Sequence, residues 1–191
     1  MRIEIPKLAL VVLVGTTSSG KSTFARRHFR ATEIVSSDAC RAMIADDEDD
    51  QSATAAAFEL LHLVVDKRLA ANRLTVVDAT NVQAEARAPL LALAVAHQVA
   101  TVTIVLDVGE GVCAARDRTR AGRTVGEAVI HRQHGRLRRS VESLATEGVR
   151  HVHLLGDEAA VRTARVVRRP LASDRRALAG PFDVVGDVHG C

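Results

Sequence analysis

Aromatic side chains are almost missing from this 191-residue sequence, which has no Trp, no Tyr and only four Phe. Its core must therefore be built from Leu, Val, Ile and Ala. No apolar run approaches the ~20 residues that a membrane-spanning helix needs. The N-terminus begins almost at once with a core strand and lacks the pattern of a signal peptide. We therefore expect a cytoplasmic protein with no membrane partner.

Cysteine usage also excludes several classes of protein. The three cysteines, Cys40, Cys113 and Cys191, are odd in number and form no C-x-x-C pair. This usage is typical of reduced thiols rather than of a disulfide framework or a zinc site. We expect Cys40 and Cys113 to be small core residues. The eight histidines show no spacing typical of metal ligands.

Charge is small in total, at +3, but uneven along the chain. Residues 46–50 are all acidic, whereas residues 116–139 carry eight arginines against two acids. A basic segment of this kind suits a polyanion such as a nucleotide or a nucleic acid. A solvated helix face explains any single arginine equally well. Within the segment, one helical face carries a stripe formed by Arg132, Arg136 and Arg139.

One motif predicts nucleotide binding. Residues 15–22, GTTSSGKS, fit the pattern G-x-x-x-x-G-K-[ST] without mismatch, between a strand-like run and a helix-compatible stretch. In such a loop, backbone N–H groups and the positive end of the helix cradle phosphates. Lys21 would reach the β- and γ-phosphates, and the Ser22 hydroxyl would serve Mg²⁺. The expected nucleotide contacts are Gly15, Thr16, Thr17, Ser18, Ser19, Gly20, Lys21, Ser22 and Thr23.

Strand-like runs alternate with helical patterns along the chain, which predicts a parallel sheet with crossover helices. The predicted strands are 8–14, 33–36, 74–78, 101–106 and 150–155. The predicted helices are 21–30, 52–72, 83–98, 109–121 and 124–147. In the last of these helices, a core stripe is expected from Val125, Val129, Leu137, Val141 and Leu144.

Two acids follow predicted strands at the edge where an open parallel sheet binds ligands. Asp38 could accept a proton from an incoming hydroxyl, with Arg41 on the same helical face holding a phosphate of the acceptor. Asp38 could instead cap the short helix that follows. Asp78 is placed to orient Mg²⁺ or its waters, and a turn closed by an Asx cap is its structural alternative.

A third group of candidates is cationic. Arg116, Arg120 and Arg123 recur at helical spacing next to a break that contains Gly122 and Gly126. Arginines on a mobile lid can neutralise charge on a γ-phosphate while the lid excludes water. The spacing therefore predicts an arginine-bearing lid.

Together these segments resemble the kinase domain of the bacterial polynucleotide kinase-phosphatase family, which heals broken RNA ends. The match covers nearly the whole chain and runs through GTTSSGKSTF, SSDACR with DDEDDQSAT, VVDATNV, LDVGEGVCAAR and LRRS-x-ESL-x2-EGVRHVHLL. The resemblance implies an α/β P-loop phosphotransferase (P-loop NTPase-like) with a central parallel sheet flanked by helices and a helical arginine-bearing lid. It also implies transfer of the γ-phosphate of ATP or another NTP, with Mg²⁺, to a 5′-OH RNA or DNA end.

The resemblance also assigns roles to residues. Asp38 would be the general base, Arg41 would grip the acceptor, and Lys21 and Arg123 would complete the catalytic set. Arg116, Arg120 and Arg123 would cover the nucleotide. The candidate Mg²⁺ ligands are Ser22, Asp38 and Asp78.

The same resemblance divides the chain into a kinase domain, 1–170, a linker, 171–181, and the truncated start of a metallophosphatase domain, 182–191. Asp187 and His189 would be metal ligands there, but two ligands cannot hold a dinuclear centre, so no phosphatase activity is expected. The implied partners are a single-stranded 5′-OH end and the phosphatase and ligase-like domains of the same polypeptide. A homodimer is left open for the full-length protein.

Two alternatives remain open. A P-loop kinase of a small metabolite would share the loop, the base and the lid. A sugar, however, has no phosphate for Arg41 and the stripe of Arg132, Arg136 and Arg139 to hold. A nucleotide-dependent binding module would use the loop without transfer chemistry. Since Phe24 and Phe29 are expected in the core, nucleic-acid recognition should rest on arginine–phosphate contacts and be short-footprint, sequence-insensitive and salt-dependent.

Overall fold

A computed structural model describes residues 1–120, 124–149 and 151–171 of the chain. Its main sheet has five parallel strands in the order β3-β4-β2-β5-β6. The strands are β1 (Arg2–Pro6), β2 (Ala9–Gly15), β3 (Ile34–Ser36), β4 (Thr75–Asp78), β5 (Ala100–Leu106), β6 (His151–Leu155) and β7 (Arg165–Arg169). The helices are α1 (Lys21–His28), α2 (Ser37–Ala45), α3 (Thr54–Ala70), α4 (Ala84–Ala96), α5 (Glu110–Thr119), α6 (Glu127–Ser143) and α7 (Glu158–Thr163).

This architecture confirms the predicted fold class. Each of the five predicted strands and five predicted helices is present, with ends that differ by a few residues. The strands β3 and β4 lie on one side of the central strand β2, and the later strands β5 and β6 lie on its other side. The carboxyl end of β2 is therefore the topological switch point of the sheet. Open α/β sheets bind their ligands at such a point.

The central strand β2 is buried along its whole length, and its side chains alternate between two hydrophobic clusters. On one face, Leu10 and Val12 pack in a cluster with residues of α3, α4 and α6. On the other face, Val11 and Leu13 share a cluster with residues of α1 and α7. This two-sided burial explains why β2 reads as a continuous apolar run rather than as an alternating one.

A small second sheet, which the sequence analysis missed, pairs β1 with β7 in parallel. Ile3 and Ile5 of β1 are buried in the same cluster as α1 and α7. Arg168 of β7 donates two hydrogen bonds, of 2.8 and 2.7 Å, to the carboxylate of Glu33 just before β3. The ends of the described chain are thereby fixed against the main sheet. The short helix α7 was also missed.

The predicted core stripe of α6 needs a correction. The buried residues of this helix are Ile130, His134, Leu137 and Ser140, continued by Leu144 after its end. Val141 packs against the same core cluster as Leu137 and Leu144. Val125 and Val129 line the cavity described below, and Val125 also packs against a smaller core cluster that contains Ile130. The periodicity was correct for Leu137, Val141 and Leu144. It was incomplete for Val125 and Val129, because the apolar side chains nearest the site also line the ligand cavity.

Cys40 and Cys113 are buried free thiols, as predicted. Within the described ranges, no helix is both long and apolar enough to cross a membrane. Arg123 and the segment 172–191, which contains nearly all of the predicted linker and the whole phosphatase fragment with Asp187 and His189, lie outside the described residues.

Candidate phosphate-transfer site

The phosphate loop connects β2 to α1 and forms one wall of a cavity of about 1570 Å³. Two of its residues have left-handed backbone conformations, Ser18 with φ 62° and Gly20 with φ 95°. At Gly15 a Cβ would lie 2.8 Å from the carbonyl oxygen of Leu106 and from Oγ of Ser19. The loop therefore needs glycine at position 15, where β2 approaches the end of β5. Thr17 to Thr23 line the cavity, whereas Gly15 and Thr16 do not.

Lys21 is held by the loop itself. Its Nζ donates hydrogen bonds to the carbonyl oxygens of Gly15, at 3.0 Å, and Thr16, at 2.7 Å. Burial lowers the pKa of Lys21 to about 8, against the opposing charge of Asp78. A buried cation with a strongly perturbed pKa in a cleft is typical of a functional site.

Asp78 lies at the carboxyl end of β4, on the same cavity. Burial raises its pKa above the ordinary value, while a hydrogen bond from Ser22 and the charge of Lys21 act in the opposite direction. The hydroxyl of Ser22 and the carboxylate of Asp78 are oxygen donors of the kind that Mg²⁺ prefers, usually together with substrate phosphates. In the part of the chain that the structure describes, no group of three or more His, Cys, Asp or Glu side chains could hold a metal without such phosphates.

Asp38 and Arg41 lie on one face of α2, as their spacing predicted. Capping by Asp38 was wrong, because the side chain of Ser36 accepts the hydrogen bond from the backbone N–H of Ala39. Nη1 of Arg41 donates to Asp38 at 2.9 Å and to the carbonyl oxygen of Glu48 at 2.6 Å. The buried Nε of Arg41 has no hydrogen-bond partner among the described residues. Arg41 itself lines the cavity, and the hydrogen-bonding capacity of its Nε is not used by any described residue.

Two of the three lid arginines can be placed. Nη1 of Arg116 on α5 lies 3.4 Å from the carbonyl oxygens of Ser18 and Ser19, and its Nη2 pairs with Glu158 at the start of α7. Arg120 follows the end of α5 and lines the cavity. The predicted helix therefore ends at Thr119 rather than at residue 121. The role of Arg123 stays a prediction.

Asp117 connects this arginine-bearing segment to the phosphate loop. It is 2% exposed and accepts hydrogen bonds from the backbone N–H groups of Val125 and Gly126, both at 3.0 Å. The hydroxyl of Ser18 lies 3.4 Å from its other carboxylate oxygen. One buried acid thus holds together the loop and the start of α6. The sequence analysis counted Asp117 only as a charge.

Gln133 of α6 is a second residue that sequence reasoning missed. Its Oε1 accepts a 2.7 Å hydrogen bond from the backbone N–H of Thr17 in the phosphate loop. A glutamine on a basic helix carries no motif, so no sequence signal could have identified it. The arginine stripe of the same helix, Arg132, Arg136 and Arg139, is exposed and lies outside the cavity lining.

A network of buried charged and polar residues supports the start of the phosphate loop. Arg87 is fully buried and donates to Glu147 at 2.8 and 2.5 Å and to the carbonyl oxygen of Asn81 at 2.6 Å. The side chain of Asn81 donates to the carbonyl oxygen of Leu13, and Thr80 accepts from the backbone N–H of Gly15. This network fixes the segment that follows Asp78 against the start of the phosphate loop.

Comparison with known proteins agrees with this fold. The AAA domain family matches residues 10–144. Among solved structures, the chain is similar to one from the Pnkp1/Rnl/Hen1 RNA repair complex, with 22% identity, a TM-score of 0.64 and coverage of 73% of this chain and 47% of that one. This chain therefore spans about half the length of that relative. No curated protein matches the chain.

Two further structures share the fold. A gluconokinase from Sinorhizobium meliloti 1021 is 18% identical, with a TM-score of 0.51 and coverage of 79% of this chain and 83% of that one. Kti12 from Chaetomium thermophilum, in complex with ADP-AlF3, is 18% identical, with a TM-score of 0.50 and coverage of 80% and 93%. With a P-loop kinase-like fold and a family match over more than half of its length, the chain belongs to the AAA domain family.

Proposed function

We propose that this chain is a polynucleotide 5′-hydroxyl kinase, which transfers the γ-phosphate of an NTP to 5′-OH RNA or DNA ends in nucleic-acid repair. The observation that carries the proposal is the guanidinium of Arg41. It is 6% exposed, lines the cavity beside Asp38, and keeps a buried Nε without a partner.

An unpaired buried donor costs about 1–3 kcal/mol, so this arrangement favours a ligand that accepts a hydrogen bond from it. A phosphate offers several acceptor oxygens and matches the planar guanidinium bidentately. In a nucleic-acid end, the phosphate on the 3′ side of the terminal nucleotide lies close to the 5′-hydroxyl. Arg41 would therefore bind the acceptor next to the atom that Asp38 activates.

The transfer itself uses a small number of residues. The 5′-oxygen forms a bond to the γ-phosphorus, its proton passes to a carboxylate oxygen of Asp38, and the bond to the β–γ bridging oxygen breaks, releasing NDP. Arg41 orients Asp38 through their 2.9 Å hydrogen bond. The loop amides and Lys21 hold the donor phosphates, and Arg116 and Arg120 face them from the lid side.

A bound Mg²⁺ would neutralise charge on the β- and γ-phosphates, and Ser22 and Asp78 are the residues that would hold it. The carboxylate of Asp38 lies close enough to Asp78 for its negative charge to add to the upward shift of the pKa of Asp78. We assign Asp38 to the acceptor rather than to the metal, because it shares a helical face with Arg41.

The size of the cavity is compatible with two ligands bound at once. Its volume of about 1570 Å³ exceeds the roughly 300–1,000 Å³ that is usual for a single small-molecule pocket. It reaches from the phosphate loop to α2 and α3 on one side and to α5 and α7 on the other. A donor nucleotide and the end of a strand can be accommodated together.

A direct test is to offer the full chain γ-labelled ATP and Mg²⁺ with a 5′-OH oligonucleotide, a nucleoside, a nucleoside 3′-phosphate, and gluconate. Transfer to the oligonucleotide and the nucleoside 3′-phosphate, with far less to the nucleoside and none to gluconate, supports the proposal. Transfer to gluconate or another sugar at a comparable rate would show instead that the chain is a kinase of a small metabolite. Nucleotide binding without transfer to any acceptor would show that the chain is a nucleotide-dependent binding module.

Variants separate the roles. Asp38→Asn should lower kcat by about 100-fold or more, the usual range for a general base. Lys21→Ala should abolish transfer. Arg41→Ala should raise KM for the nucleoside 3′-phosphate by about 10-fold and have much less effect on the nucleoside, which lacks the phosphate.

The larger assembly is part of the same proposal. We infer a cytoplasmic repair protein in which phosphatase and ligase-like domains of the same polypeptide act together with this kinase domain on broken nucleic-acid ends. The likeness to a chain of an RNA repair complex supports this inference.

A further inference from the structure

The scarcity of aromatic residues makes the position of each one informative. Phe24 and Phe29 are 1% and 6% exposed and belong to the core cluster beneath the phosphate loop, as the sequence predicted. Phe58 on α3 is different, since it is only partly buried and lines the cavity. Among the described residues, Phe58 is the one aromatic side chain on the cavity wall that is not buried.

The helix geometry explains why Phe58 faces the cavity. The buried stripe of α3 is Ala57, Leu61, Val65 and Leu69, spaced four residues apart. Phe58 lies one residue, about 100°, away from this stripe. Thr54, four residues earlier and so on the same face, lines the cavity as well. The face of α3 that carries Thr54 and Phe58 therefore borders both the core and the site.

Phe58 lies on the acceptor side of the phosphate loop. Helix α3 packs against α2, which carries Asp38 and Arg41, and both helices lie at the β3 end of the sheet. The lid residues Arg116 and Arg120, with Glu158, lie on the opposite side, toward β5 and β6. A base that contacts Phe58 therefore belongs to the strand whose hydroxyl faces Asp38, rather than to the donor nucleotide.

We propose that Phe58 is the platform on which the base of the 5′-terminal nucleotide of the acceptor stacks. This inference rests on the proposed kinase function and adds a contact to the base to the contact of Arg41 with the phosphate. An aromatic face accepts any base, because every base has a π-face. Phe58 would thus fix the terminal nucleotide without selecting its sequence.

A comparison of two acceptors tests the stacking directly. One is a 5′-OH oligonucleotide, and the other is the same strand with an abasic 5′-terminal nucleotide. For the wild-type chain, removing the base should raise KM by about 10-fold, within the range of single base–aromatic stacks. Phe58→Leu keeps an apolar side chain without a π-face, so its KM for the intact strand should rise to the abasic value.

Base removal should then have no further effect on Phe58→Leu. A matched control on the same helix is Leu63→Ala, since Leu63 is 54% exposed and does not line the cavity. Leu63→Ala should keep the full response to base removal. Binding of nucleotide to each variant reports whether its fold is intact.

Fluorescence provides a second test that does not depend on turnover. Because the chain has no Trp and no Tyr, emission from Phe58→Trp comes from position 58 alone. Addition of the intact 5′-OH oligonucleotide should quench this emission, and the abasic strand should quench it far less.

Three results would overturn the proposal. The wild type could phosphorylate both strands with equal KM, Phe58→Leu could retain the wild-type response to base removal, or both strands could quench Phe58→Trp equally. In each case transfer to the intact strand would leave the kinase function standing. No transfer by the wild type to either strand would overturn the kinase function and the stacking proposal together.

Discussion

The backbone N–H of Thr17 donates a 2.7 Å hydrogen bond to Oε1 of Gln133, 116 residues further along the chain. This bond connects the phosphate loop to α6, the helix that begins directly after the arginine-bearing segment. Asp117 reinforces the connection by bonding the backbone N–H of Gly126. The loop and the start of α6 therefore form one structural unit.

We predict that Gln133→Glu weakens nucleotide binding by about fivefold or more, because a carboxylate beside the loop repels the phosphates of the ligand. Gln133→Ala should lower the free energy of unfolding by about 1 kcal/mol through the lost hydrogen bond. Titration calorimetry and urea unfolding provide the two measurements. Gln98→Glu, an exposed change of the same charge far from the cavity, should bind nucleotide like the wild type. Equal affinities for both glutamate variants would contradict the prediction.

The lowered pKa of Lys21, about 8, predicts a pH-dependent affinity for nucleotide. Below pH 8 the ammonium is already charged, whereas above it Lys21 must take up a proton to meet the phosphates, which raise its pKa in the complex. Kd measured by calorimetry without Mg²⁺ should therefore rise above pH 8 by up to about tenfold per pH unit. Lys21→Arg stays charged throughout and should show no such rise. A Kd of the wild type that is flat from pH 7 to 9.5 would disprove the assignment.

The pair of Arg87 and Glu147 should be important for stability. We predict that Glu147→Gln lowers the free energy of unfolding by about 3 kcal/mol, because it leaves a fully buried guanidinium without its counter-charge. The matched control is Glu127→Gln. Glu127 pairs with Arg118 at the surface, where both side chains are more than half exposed, so that change should cost less than about 1 kcal/mol.

The pair of Arg87 and Glu147 should also make the free energy of unfolding depend on pH in the acid range. Burial raises the pKa of Glu147, but the hydrogen bonds from Arg87 and Ser143 and the charge of Arg87 outweigh it and hold the pKa below the ordinary value of 4.5. The stabilisation is therefore complete above pH 4.5 and is lost as the pH falls below it. Unfolding by urea at pH 7 and pH 4 should show a larger acid loss in the wild type than in Glu147→Gln. An equal loss in both would rule out this role.

Two glycine substitutions should have different effects, since one should weaken nucleotide binding and the other should stabilise the fold. Gly15→Ala places a Cβ 2.8 Å from the backbone carbonyl of Leu106, so we expect the phosphate loop to shift and nucleotide binding to fall by at least about tenfold. Gly135→Ala lies inside α6 with nothing within 4 Å of the new Cβ. It should raise the free energy of unfolding by up to about 1 kcal/mol. Calorimetry and thermal unfolding check both, and normal nucleotide affinity in Gly15→Ala would show that the loop tolerates the side chain.

The sequence was sufficient for the fold class and for the parts of the site that are local in the chain. The phosphate loop, the alternation of strands and helices, and the shared helical face of Asp38 and Arg41 all follow from spacings of a few residues. The strands β1 and β7 were missed because each is short and is stabilised by a partner more than 150 residues away. Their pairing leaves no local pattern.

The identity of the capping residue on α2 was also beyond the sequence. Ser36, Ser37 and Asp38 are all good N-cap residues, and the register in which α2 leaves β3 selects Ser36. The same register frees the carboxylate of Asp38 to pair with Arg41. A difference of two residues in the start of the helix thus decides whether Asp38 caps α2 or pairs with Arg41.

By itself, then, the sequence determined a nucleotide-binding α/β fold, because hydrophobic period and motif spacing are properties of neighbouring residues. Only the tertiary structure decided that Gln133 contacts the phosphate loop, that Arg87 is buried behind it, and that the partly exposed Phe58 lines the cavity. These positions depend on how helices distant in sequence pack over one sheet. That packing is a collective result of the whole core rather than of any single segment.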